Sequence, residues 1–76
     1  MDIITLDKLR PGESGKINRV GGSGAIRRRL LDMGLTSGAS IKTIRISPLG
    51  DPVEYQVRGY RLSLRKSEAT TIEVQI

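Results

Sequence analysis

Hydrophobic residues in this chain alternate with polar ones over short stretches, the period of a half-buried β-strand. Val53, Tyr55 and Val57 alternate with Glu54, Gln56 and Arg58. Tyr60, Leu62 and Leu64 alternate with Arg61, Ser63 and Arg65, and Ile72, Val74 and Ile76 with Thr71, Glu73 and Gln75. Each run puts one apolar face inward. Arg58-Gly59, between the first two runs, is short enough for a tight hairpin. Ser14 to Val20 reads as an earlier strand with Ile17 its clearest inward residue, and Ser40 to Ile46 as another, rich in β-branched residues. In the latter the apolar phase slips between Ile41 and Ile44, which predicts a bulge or a change of face.

One stretch has a helical period instead. From about Gly24 to Met33, the residues Ile26, Leu30 and Met33 recur at i, i+4 and i+7 and predict one buried stripe. Ser23 is placed to cap the first turn, and Gly34 to end the helix in the left-handed conformation that glycine adopts cheaply. A helix of about ten residues is marginal alone, so packing must hold it. Thr5 to Leu9 reads as a single helical turn capped by Thr5 and stopped by Pro11-Gly12, and Ser67-Glu68-Ala69 as another. Gly21 to Gly24 is a flexible loop, and Pro48 to Pro52 a dense turn cluster.

Five short strands and one helix must hide the sheet edges, which closure into a small barrel does. The expected fold is mainly β, in the small α+β sense. It is a single domain over residues 1–76, a five-stranded, partly open SH3-like barrel with the helix across one end. An OB-like barrel is the second choice and usually needs a longer chain.

Composition then narrows function. A domain of 76 residues has a thin core and little room for an enclosed active site, which favours a binding module. The chain has no cysteine and no histidine, so thiolate chemistry, the usual zinc and copper ligands and the usual general base near neutral pH are missing. We therefore expect no enzyme activity, no resident cofactor and no dedicated metal site. Asp32, Asp51 and Glu54 read as carboxylates scattered over a basic surface. The loop Gly21-Gly22-Ser23-Gly24 lacks the spacing and the Lys-Ser/Thr ending of a phosphate-binding P-loop. The stretch Met1 to Ile4 has no leader pattern, and no apolar run approaches the roughly 18 residues that span a membrane. The expected location is the cytoplasm.

Thirteen Lys and Arg against eight Asp and Glu give a formal charge of +5, which attracts an acidic partner. The densest feature is Arg27-Arg28-Arg29. Cations so close to the positive end of a helix are mildly unfavourable, and Asp32 follows Arg28 at i+4 in the weaker orientation. Helix stability therefore does not account for the cluster. Either it anchors carboxylates or phosphates through the planar guanidinium fork, or it is a solvated face around the core stripe. Barrel-type single-strand binders add aromatic platforms for stacking bases. The aromatic residues here are Tyr55 and Tyr60, both in the inward phase, so nucleic acid is the weaker expectation.

The segment Arg29-Leu30-Leu31-Asp32-Met33-Gly34-Leu35-Thr36-Ser37-Gly38 resembles a family signature. Ser47-Pro48-Leu49-Gly50-Asp51-Pro52-Val53, Val57-Arg58-Gly59-Tyr60, Leu62-Ser63-Leu64-Arg65, and Glu68-Ala69 through Ile72-Glu73-Val74 continue it. In order and spacing, from Leu6 to Val74, the chain resembles the FeoA family of bacterial ferrous-iron transport accessory proteins. Ser47 and Val53 stand where the signature favours Ala and Ile. The resemblance implies an SH3-like barrel. It also implies a small cytosolic protein that assists FeoB, the membrane ferrous-iron transporter with a cytosolic GTP-binding domain. A related domain closes some metal-dependent repressors of the DtxR type.

Much of that signature is explained by folding alone: Leu30 and Met33 as core stripe, Gly34 as helix stop, Gly59 as hairpin. The partner surface is then expected elsewhere. Leu31 lies off the stripe and Leu49 at a loop tip, and with Arg27 and Arg28 they would form an apolar patch with a basic rim. The expected function is binding to the cytosolic GTPase-containing region of FeoB, with self-association also allowed. The alternative is a basic barrel that binds nucleic acid or another acidic protein.

Overall fold

The computed structural model describes residues 2–76, so Met1, the first residue of the stretch read for a leader, lies outside it. In chain order come β1 (Ile3–Thr5), a 3₁₀ turn (Leu6–Lys8), β2 (Ser14–Val20) and α1 (Gly24–Asp32). Then follow β3 (Ser40–Ile46), β4 (Val53–Val57), β5 (Tyr60–Leu64), α2 (Lys66–Ala69) and β6 (Ile72–Gln75). One antiparallel sheet, ordered β1-β6-β2-β3-β4-β5, wraps around a single apolar core.

All five anticipated strands form, and a sixth joins them. Ile3, Ile4 and Thr5 pair with Gln75, Val74 and Glu73, so β6 lies between β1 and β2. Thr5 was expected to cap a helical turn; it belongs to β1, and its side chain makes no capping bond to the 3₁₀ turn that follows. The slipped phase in β3 is a bulge, where the register against β4 shifts between Thr43 and Arg45. Thr43 faces the core there, and its hydroxyl donates to the Leu9 carbonyl at 3.1 Å, which satisfies a fully buried polar group. The β4–β5 hairpin closes on Arg58 (φ 50°) and Gly59 (φ 83°), both in the left-handed region that a tight two-residue turn requires.

Helix α1 connects β2 to β3. Leu30 is wholly buried, Met33 packs partly against the core, and Ile26 is half exposed, so the expected three-residue stripe is shorter. Ile26 lies in the first turn and is only half covered by the rest of the molecule. Ser23 precedes the helix in an extended conformation without a side-chain capping bond. The other end is closed as expected. Gly34 takes φ 92°, its amide reaches the Leu31 carbonyl at 3.0 Å, and the Leu35 amide reaches Leu30 at 3.2 Å. Tyr60, placed inward by alternation, is 42% exposed because it follows the hairpin directly. Tyr55 is fully buried.

Candidate partner-binding site

Arg27 and Leu31 are four residues apart on α1 and share a face. The Arg27 Nε donates to the Val20 carbonyl at 3.2 Å, tying the helix to the end of β2. Both residues line a surface depression of about 300 Å³ with Asn18, Arg19, Val20 and Ser37. Leu31 is half-buried: it packs against the core while it walls the depression. Arg28, one position further round the helix, is exposed.

Leu49 is 93% exposed at the tip of the β3–β4 loop, as its place in the turn cluster suggested. It is not among the residues that line the depression of Arg27 and Leu31. Asp51 and Pro52, from the same loop, line a second depression of about 310 Å³ with Arg29, Ser63, Arg65 and Glu68. The loop therefore meets the Arg29 flank of α1, opposite the Arg27 flank. Helical period separates those two flanks, because positions 27 and 31 fall on one side of Leu30 and position 29 on the other.

The two depressions differ in charge. Around Arg29 two arginines face two carboxylates, and Arg29 forms an ion pair with Glu68. Around Arg27 two arginines line the surface and no carboxylate does. Sequence reasoning passed over Asn18, Arg19 and Ser37. Alternation from inward Ile17 would bury Arg19, but the β2–β6 register shifts between Ile17 and Arg19, so Arg19 is exposed and Val20 is buried instead. Among the described residues, no group of three or more Asp and Glu gathers as a metal site would require.

The family profile described as the FeoA domain matches residues 4–76. The chain belongs to the FeoA family. A relative from Porphyromonas gingivalis, an Fe(2+) transport protein A/Fe(2+) transporter FeoB fusion protein, is 41% identical over 73 residues. Those residues are 96% of this chain and 9% of that much longer protein. The FeoA-like protein of Clostridium acetobutylicum superposes with a TM-score of 0.91 at 36% identity, covering 100% of this chain and 88% of that one. The FeoA of Stenotrophomonas maltophilia, solved in complex with zinc and described as a prokaryotic SH3 domain protein, gives 0.85 at 32% identity. It covers 95% of this chain and 89% of that one. The mainly β, SH3-like class read from the strand pattern is thus the FeoA fold, with β1 added to the five expected strands.

Proposed function

We propose that this chain is a non-enzymatic accessory protein of ferrous-iron uptake that docks on the cytosolic, GTP-binding region of a FeoB-type transporter. The observation that carries this reading is the P. gingivalis relative, in which the FeoA portion shares one polypeptide with FeoB. A covalent link of that kind raises the effective concentration of two parts that work together.

The surface suits the role. Arg27 and Arg28 supply positive charge on α1, Leu31 supplies apolar contact beside Arg27, and Leu49 offers an exposed apolar side chain at the β3–β4 loop tip. Such a surface meets an acidic patch with an apolar centre. In this reading, contact with the bilayer is through the transporter at its cytoplasmic face; no helix among the described residues is long and apolar enough to cross a membrane.

Docking alters transport only if the chain prefers one conformation of the transporter over another. The test is therefore binding to the isolated cytosolic region of the transporter, with and without GTP. Whatever factor GTP changes in the affinity for this chain, the chain must change in the affinity for GTP. Saturable, nucleotide-dependent binding is the expected result. No binding to that region, with salt-sensitive binding to a random-sequence oligonucleotide instead, overturns the proposal in favour of nucleic acid.

A further inference from the structure

On the docking role proposed above, we infer that the depression between α1 and β2 takes a carboxylate from an acidic segment of the protein partner. Arg19 and Arg27 bind that carboxylate, and the neighbouring apolar side chain of the segment rests on Leu31. Three observations lead there. First, Arg27 is already oriented: its Nε is engaged by the Val20 carbonyl at 3.2 Å, which leaves the terminal amino groups of the fork to a second acceptor. Part of the ordering cost of binding is thereby met before the ligand arrives.

Second, positive charge outweighs negative in this depression: Glu73, opposite Arg19 on β6, accepts from the Asn18 side chain at 3.4 Å but does not line the surface, and it stands against two arginines. Arg29 pairs with Glu68, Arg45 and Arg61 pair with Glu54, and Arg58 binds the Gly34 carbonyl and the Thr36 hydroxyl. Arg19 and Arg27 instead share a concave surface that no carboxylate lines. Third, the wall is partly apolar. Val20 and half-buried Leu31 line the same 300 Å³, room for a side chain or two. A nucleic acid in this place would lack a stacking surface, because Tyr55 is buried and Tyr60 lies on β5. An Asp or Glu followed by an apolar residue matches both halves of the site.

The test is amide-resolved NMR of the chain titrated with N-acetyl-Glu-Leu-Leu-amide, with the Gln peptide and inorganic phosphate as comparisons. Shifts should gather at Arg19, Gly22, Arg27 and Leu31, and the Gln peptide should bind about tenfold more weakly or worse. Arg19→Glu with Arg27→Glu should abolish the response. Lys8→Glu with Lys42→Glu, an equal change of net charge at exposed positions outside the depression, should leave it within about threefold. Should the first pair fail to fold, Arg19→Glu alone leaves the Arg27–Val20 bond in place and must still weaken binding. Equal binding of the Gln peptide, shifts centred elsewhere, or an unaffected Arg19→Glu variant overturns the assignment. So does phosphate acting on the same amides at lower concentration, which would mark a phosphate site. The same variants mixed with the transporter's cytosolic region separate the two proposals. Peptide binding without transporter binding ends the docking role and keeps the site. Transporter binding that ignores Arg19 and Arg27 does the reverse.

Discussion

Arg29 on α1 and Glu68 on α2 form an ion pair, and the second oxygen of the same carboxylate accepts the Arg65 amide at 2.9 Å. One side chain therefore caps α2 and tethers α1. The Glu68 side chain is largely buried and that of Arg29 mostly exposed. The pairing fixes one flank of α1 against the barrel, which leaves the opposite flank, with Arg27 and Leu31, turned to the depression beside β2.

This asymmetry predicts unequal mutational costs. Glu68→Ala loses both the cap and the tether and should destabilise the fold by about 1–2 kcal/mol. Arg29→Ala loses only a partly exposed ion pair and should cost about 0–1 kcal/mol. Urea unfolding midpoints of the two variants measure the difference, and an equal loss would mean that the cap contributes nothing.

The helix offers a second contrast. Leu30→Ala empties a fully buried site and should cost about 2–5 kcal/mol. Ile26→Ala, at a half-exposed position of the same sequence stripe, should stay within about 1 kcal/mol. Both follow from thermal or urea unfolding, and a large loss at Ile26 would restore the longer stripe.

Those two residues also mark how far the sequence could be read. Period-two alternation exposed β4, β5 and β6 because each buries most of its alternate residues, with Tyr60 and Ile76 exposed at the ends of their runs, and the phase slip in β3 located its bulge to within a residue. Strand β1 was hidden for a physical reason: three residues are too few to show a period, and their partners lie some seventy positions away at the end of the chain. Ile26 and Tyr60 were assigned inward because periodicity carries no information about where an element outruns the core. The candidate site was legible as residue types, with Arg27 and Leu31 correctly on one helix. That Leu49 stays outside the Arg27–Leu31 depression, and that Arg19 lines it with Arg27, depends on how β2 and the β3–β4 loop return to the helix.

Tyr55 gives a prediction in alkali. Its hydroxyl is buried without a hydrogen-bond partner among the described residues. Burial, together with the charges of Asp7 and Asp51, pushes it from 10.0 up to about 12. The folded protein thus holds this proton more tightly than the unfolded chain. The associated stability is complete below pH ~10 and is lost as pH rises toward 12, at up to about 1.4 kcal/mol per pH unit. Tyr55→Phe should remove that slope. At neutral pH it should be neutral or stabilising by about 1 kcal/mol, since an unpartnered hydroxyl leaves the core. Unfolding midpoints of the two proteins between about pH 9 and 12 isolate the Tyr55 contribution by difference. Parallel curves would refute it.

The proposed docking surface makes the last prediction. Reversing charge at Arg27 and Arg28 together should weaken the complex with the transporter's cytosolic region and flatten its dependence on salt. The fold should survive. Arg28→Glu adds a like charge four residues before Asp32, which costs only a few tenths of a kcal/mol, at about 0.2–0.5. Arg27→Glu gives up one bond to the Val20 carbonyl, at about 1 kcal/mol. Leu49→Ala, at an almost fully exposed loop tip, should leave stability within about 0.5 kcal/mol. Its effect on binding reports the extent of the interface. A loss there as well as at Arg27 and Arg28 means that the partner reaches from α1 to the tip of the β3–β4 loop. A loss at the arginines alone confines it to the β2 side. Unchanged binding in a folded Arg27/Arg28 double variant would remove this patch from the interface altogether.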